Sequence, residues 1–139
     1  MPQRVIPIQP DTAGGAWANE ESTAIANTLM ATNTTIVTSL TNFIHRGADW
    51  VLTLGTETSA PSITFRVQGQ NPVDSTFFSI LASAAQTGTS TALFFSMYPG
   101  QAETANQHVD NSLPRNYRIM IDPGNDSTPT VSVGEIRLL

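Results

Sequence analysis

The strongest constraint in this sequence is a repeated alternation of apolar and polar residues, interrupted by turn-forming residues every 8–15 positions. The clearest example is residues 62–68, where Ile63, Phe65 and Val67 alternate with polar neighbours. Successive side chains of a strand point to opposite faces, so such a run predicts a strand with one buried face. Gly, Pro, Asn and Asp are concentrated between the runs, as they are in turns.

Seven runs of this kind can be placed, and they lie at residues 34–40, 49–54, 62–68, 77–81, 92–98, 116–121 and 130–138. No helical segment of 10–15 residues separates them, although parallel βαβ units would require one. The pattern predicts an all-β protein, an antiparallel β-sandwich of seven to eight strands that is jelly-roll-like or Ig-like. In such a fold each sheet buries its apolar face against the other sheet.

Residues 1–32 differ in composition from the rest of the chain. Prolines at positions 2, 7 and 10 would interrupt a ladder of backbone hydrogen bonds, so this stretch is at best an edge segment. Apolar residues from Trp17 to Leu29 fall at helical spacing, but the β-branched and Asn residues between them disfavour a helix. We predict an extended N-terminal arm over residues 1–32 and a β-sandwich domain over residues 33–139.

The predicted arm supplies the candidate binding residues. It can lie on its own domain as an edge strand or grip a neighbouring molecule, and the sequence leaves both alternatives open. For the second alternative, the apolar side chains that would contact a partner are Val5, Ile6, Ile8, Trp17, Ile25 and Leu29.

Charge and composition limit the possible partners. The net charge is −5 at pH 7, and all six cationic residues are arginines. Nucleic-acid binding is not expected, because phosphate contacts need clustered positive charge. No run of about 18 apolar residues occurs, so we expect no membrane-spanning helix. Cysteine is absent, which excludes disulfides, thiolate metal sites and cysteine nucleophiles.

Few residues of the sequence suggest a catalytic or metal-binding role. His45 and His108 are best interpreted as turn or loop residues, although a metal or acid–base role would also use this residue type. Asp122, Asn125 and Asp126 offer three oxygen ligands of the kind that calcium prefers, but the same residues suit a tight turn. We expect no enzymatic activity and no cofactor, because no nucleophile, base and metal constellation is apparent.

Adjacent aromatic residues raise a question of burial. Phe77–Phe78 and Phe94–Phe95 lie on predicted strands, where neighbouring side chains point to opposite faces. One member of each pair is expected in the core. The other is either covered by a loop or the arm, or forms a contact surface together with Trp17 and Trp50. These two tryptophans are also candidates for stacking on a sugar.

Three segments carry a resemblance to a known group of proteins. They are Ile63 to Ala82 (ITFRVQGQNPVDSTFFSILA), Met97 to Gly100 (MYPG) and Leu113 to Ile119 (LPRNYRI). These motifs resemble short β-rich structural proteins of tailed bacteriophages, of the decoration or minor capsid type. The turn Gln68 to Pro72 reads Gln-Gly-Gln-Asn-Pro where that group has a Gln-Gly-Lys-Asp-Pro-like sequence. The resemblance covers roughly residues 43–139 and excludes the arm.

The resemblance implies a role in a virion. It points to a capsid decoration protein on the capsid surface, with the major capsid protein and neighbouring copies of itself as partners, and with trimers as the favoured oligomer. A tail, neck or fibre component of the virion and a glycan-binding adhesin module remain as alternatives.

Overall fold

A computed structural model describes residues 18–55, 61–87 and 91–139. Within these ranges the chain forms nine strands and no helix. The strands are β1 (Glu20–Leu29), β2 (Ile36–Thr41), β3 (Gly47–Leu54), β4 (Ile63–Gln70), β5 (Phe77–Ala82), β6 (Thr91–Met97), β7 (His108–Val109), β8 (Asn116–Pro123) and β9 (Thr130–Leu138). No helix that could span a membrane occurs in the described part of the chain.

The strands form two sheets. The five-stranded sheet has the order β1-β9-β3-β6-β7, and the four-stranded sheet has the order β2-β8-β4-β5. Neighbouring strands pair antiparallel except β6 and β7, which pair parallel over two residues. The prediction of an all-β, mostly antiparallel sandwich is confirmed. The predicted strand count of seven to eight is exceeded by β1, which falls in the predicted arm, and by the very short β7.

Strand β1 lies in the segment before residue 32, where the sequence pattern fits neither a regular strand nor a regular helix. It pairs with β9 from Glu20 opposite Arg137 to Leu29 opposite Thr130, with register shifts on either side of Ile25. Each irregularity breaks the two-residue period of the strand, so apolar residues recur at a spacing that resembles a helix. The interpretation of the helical spacing as a helix is therefore wrong from Glu20 onward. The division into an arm of residues 1–32 and a domain of residues 33–139 stays a prediction.

The core lies between the two sheets. Its largest side chains include Trp50 from β3, Phe65 from β4 and Phe95 from β6. The Phe65 ring lies 6.0 Å from the Trp50 ring and stacks on the Phe95 ring at 4.6 Å, measured between ring centroids. Ile63 and Val67, which the alternation placed on the same face as Phe65, are also buried.

Candidate functional site

A buried polar network joins the two sheets near the end of β9. The fully buried Glu135 carboxylate accepts hydrogen bonds from Trp50 Nε1 at 2.7 Å, the Tyr117 hydroxyl at 2.8 Å and Arg137 Nε at 2.8 Å. Trp50 lies on the five-stranded sheet and Tyr117 on the four-stranded sheet, so the carboxylate connects them. Every buried side-chain nitrogen and oxygen of the described residues has a hydrogen-bond partner, as burial requires.

Two groups of this network, Tyr117 and Arg137, have a raised pKa. Burial, with the neighbouring Glu135 carboxylate, raises the pKa of Tyr117 far above its ordinary value near 10. Desolvation opposes the charge on Arg137, but the hydrogen bond to Glu135 and the further interactions with Tyr117 and Glu135 together outweigh it and raise the pKa of Arg137. The phenol stays neutral and the guanidinium stays charged, so this network braces the sandwich and is no acid–base pair.

The loop that crosses from β2 to β3 is clamped by hydrogen bonds from buried Asn42. The Asn42 amide nitrogen donates to the carbonyls of His45 at 2.7 Å and Leu113 at 3.1 Å, and its side-chain oxygen accepts from the His45 N–H at 2.9 Å. The backbone N–H of Arg46 donates to the carbonyl of Leu138 at 2.8 Å. These bonds fix the loop against β9 and the segment before β8.

This clamped loop exposes two large apolar side chains. Phe43 is 71% exposed and Ile44 is 38% exposed, and the Arg115 guanidinium lies 5.1 Å from the centroid of the Phe43 ring. Both apolar residues border a pocket of about 210 Å³, whose lining consists of Glu20, Phe43, Ile44, His45 and Arg137. We call these five residues the apolar corner. Because the loop is already ordered, docking there would cost little conformational entropy.

The described chain begins beside the apolar corner. The Ala18 carbonyl lies 2.9 Å from His45 Nε2, and Asn19 Oδ1 accepts a hydrogen bond from the N–H of Leu139 at 3.1 Å. Ala18, the first described residue, therefore lies next to His45 of the apolar corner.

A second exposed apolar surface lies on the outer face of the five-stranded sheet. Val51 on β3 is flanked in register by Phe94 on β6 and by Gly134 on β9. Phe94 is 50% exposed and Val51 is 36% exposed. The next row of the same face contains Glu21 opposite Ile136 and Ile136 opposite Asp49. We call these six residues the open face.

Two of the six candidate binding residues of the sequence, Ile25 and Leu29, lie in the described part of the chain. Val5, Ile6, Ile8 and Trp17 lie outside the described residues. Leu29 is exposed at the end of β1, whereas Ile25 is buried in the core and offers no surface to a partner while β1 is paired. Contact with a partner through the whole set stays a prediction.

The aromatic residues divide between core and surface. Trp50 is fully buried and donates to Glu135, so the expectation that it forms a contact surface or stacks on a sugar is wrong. Phe95 enters the core and its neighbour Phe94 faces outward. In the pair Phe77–Phe78 neither ring is fully buried. Phe78 is exposed, and Phe77 is half-buried, with Cζ of Arg118 3.7 Å from the centroid of its ring.

The residues considered for chemistry are held by structural interactions. Buried His45 lies at hydrogen-bond distance from a backbone carbonyl, and His108 contacts the Phe94 ring at 5.8 Å between centroids. Asp122 pairs with Arg66, Asp126 accepts a hydrogen bond from Asn33, and Asn125 accepts from Ser127. Within the described ranges no three His, Cys, Asp or Glu side chains are grouped so that they could hold a metal ion.

Sequence reasoning anticipated that one member of Phe94–Phe95 faces outward, but it missed Phe43, Ile44 and Gly134 of the two surfaces. Phe43 and Ile44 carry no alternation signal, because they belong to a loop whose exposure is set by the Asn42 clamp. Gly134 and Glu135 lie in the last predicted strand, where a glycine and a carboxylate interrupt an apolar run. Those two interruptions were a usable signal, since Gly within a strand often marks close approach by another backbone.

Known proteins show only weak similarity to this chain. No family model and no curated protein matches the sequence. The structure of infectious bursal disease virus Gx strain matches with 12% identity and a TM-score of 0.39, covering 98% of this chain and 37% of that chain. The crystal structure of infectious bursal disease virus VP2 subviral particle matches with 12% identity and a TM-score of 0.40, covering 99% and 46%. This chain thus spans less than half the length of either match, and TM-scores of this size establish neither a shared fold nor a shared function.

Proposed function

We propose that this chain is a structural protein of a virion, and specifically a decoration protein on the head of a tailed bacteriophage. The observation that carries the proposal is the apolar corner, where Phe43 and Ile44 are exposed on a loop that is fixed by buried hydrogen bonds. The resemblance of residues 43–139 to structural proteins of tailed bacteriophages supports the same assignment.

In this proposal the apolar corner binds the major capsid protein. Burying one large apolar side chain contributes about 1.5–3 kcal/mol, so the two residues alone give a weak contact. A capsid presents many equivalent sites, and copies that also contact one another are held more tightly than each contact alone would allow. Residues 1–17, which precede Ala18 in the chain, would extend the contact area.

The test is binding to undecorated heads. Purified protein is added in increasing amounts, the heads are pelleted, and bound protein is quantified; saturation at a fixed number of copies per head is expected. Phe43→Ser is expected to weaken this binding. The matched control is Val73→Ser, because Val73 is also exposed and apolar but lies in the turn between β4 and β5.

Deletion of residues 1–17 separates the contribution of the N-terminal segment from that of the corner. The deletion stops before β1, whereas removal of residues 1–32 would also uncover β9. Failure of the parent protein to bind heads, together with its presence at six or twelve copies in tail fractions, would contradict a head location and favour the tail or neck alternative.

A further inference from the structure

Crowding within a single copy of the chain does not require a glycine at Gly134, which lies opposite Thr23 where the pairing of β1 becomes irregular. It is exposed in the middle of β9, and an added Cβ would meet no atom within 4 Å. Its backbone is outside the left-handed region that favours glycine, since only Gly100 among the described glycines has a positive φ. Glycine within a strand costs roughly 0.5–1 kcal/mol relative to alanine. Its presence there is consistent with another surface that approaches the backbone closely.

The neighbours of Gly134 on one side form an apolar row, and Thr23 of β1 pairs with Gly134 on the other side. Gly134, Val51 and Phe94 lie side by side on β9, β3 and β6, so the bare backbone adjoins two exposed apolar side chains. The next row of the open face carries the carboxylates of Glu21 and Asp49, and neither takes part in an ion pair with a described residue. The open face is therefore apolar and acidic.

The outer face of the four-stranded sheet has the complementary charge. Arg118 lies at its centre, between Ser39 on β2 and Gln68 on β4. Its guanidinium carbon lies 3.7 Å from the centroid of the Phe77 ring and its Nε donates to Gln68 Oε1 at 2.7 Å, but none of the described carboxylates forms an ion pair with it. Arg66 on the same face is neutralised by Asp122. We call Arg118, Phe77 and Gln68 the arginine face.

We infer that the open face of one copy binds the arginine face of a second copy. Gly134 lets the second sheet approach the backbone, Val51 and Phe94 bury apolar area, and Asp49 and Glu21 meet Arg118. Because two different faces meet, the contact is heterologous, and it generates a ring if the rotation closes or an open stack if it does not. The inference concerns self-association and does not depend on which part of a virion the protein occupies.

Sedimentation velocity of the purified full chain, over a concentration series at low and high salt, tests this contact. We expect species larger than the monomer that grow with concentration and dissociate as salt screens the charges. Gly134→Val fills the gap and is expected to weaken association about tenfold or more while the thermal midpoint is unchanged or higher. Ala102→Val, in the exposed loop before β7, is the matched control.

Charge reversal identifies the second face. Asp49→Arg and Arg118→Glu are each expected to weaken association, and an equal mixture of the two variants is expected to associate again, because each presents a face that complements the other. A parent protein that remains monomeric at low salt would overturn the inference. So would a folded Gly134→Val variant that associates like the parent, or a mixture that shows no recovery. Head binding is measured separately, so the two proposals can fail independently.

Discussion

At the scale of residues, two glycines of adjacent strands have opposite surroundings. Gly47 is buried at the start of β3, where an added Cβ would overlap the Met97 carbonyl oxygen and lie 3.0 Å from Tyr98 Cα. Gly134 on β9 has open space above it. The sequence alone presents both as glycines in strands and does not distinguish them.

This contrast predicts opposite effects on stability. Gly47→Ala is expected to lower the free energy of unfolding by about 1–3 kcal/mol, because backbone atoms must move to admit the methyl group. Gly134→Ala is expected to leave it unchanged or raise it by up to about 1 kcal/mol. Urea denaturation measures both values, and equal losses would contradict the assigned surroundings.

Glu135 is the residue on which the buried network depends. Glu135→Gln keeps the shape of the side chain but removes the charge that compensates the largely buried Arg137 guanidinium. We expect the free energy of unfolding to fall by about 3 kcal/mol, measured by urea denaturation. Glu103→Gln, at an exposed loop position, is expected to change it by less than about 0.5 kcal/mol. A similar small change for Glu135→Gln would show that the network contributes little.

The raised pKa of Tyr117 predicts that the free energy of unfolding falls at alkaline pH. Its pKa is raised in the folded state, so above pH of about 10 the unfolded chain loses the phenol proton while the folded chain keeps it. The contribution of Tyr117 to stability is therefore fully present below that pH and is lost as the pH rises above it. Tyr117→Phe is expected to give a shallower decline of unfolding free energy between pH 10 and 11 than the parent, measured by urea denaturation, and a decline equal to the parent's would contradict this assignment.

At the scale of elements, the accuracy of the sequence interpretation follows from local regularity. β4 was predicted closely, since Ile63, Phe65 and Val67 alternate without interruption and all three are buried. β1 was not predicted, because its register shifts break the alternation. The apolar corner was not predictable either: its exposure depends on hydrogen bonds from Asn42 to residues as distant as Leu113.

The contribution of β1 to the fold can be measured at Ile25. This side chain is buried against the core from an edge strand, so Ile25→Ala is expected to cost about 2–4 kcal/mol of unfolding free energy. Leu29→Ala, at an exposed position of the same strand, is expected to cost less than about 0.5 kcal/mol. Equal effects in urea denaturation would show that β1 is not held against the core in solution.

At the scale of the whole molecule, the low charge content is distributed unevenly. The open face carries two acids, the arginine face carries an arginine without an acidic partner among the described residues, and the apolar corner places Arg137 and Glu20 at 3.7 Å. A sandwich with so few charged residues would be poorly protected from non-specific association if its charges were scattered. Their separation onto different faces gives contacts a preferred orientation.

The shortness of β7 has a consequence for how copies of this chain can associate. It offers an incoming strand only two residues of ladder, and on the opposite flank the irregular pairing of β1 distorts the rim of the same sheet. Extension of the five-stranded sheet through backbone hydrogen bonds is thereby discouraged. Copies that meet through the outer faces of their sheets would then separate again as intact folded units.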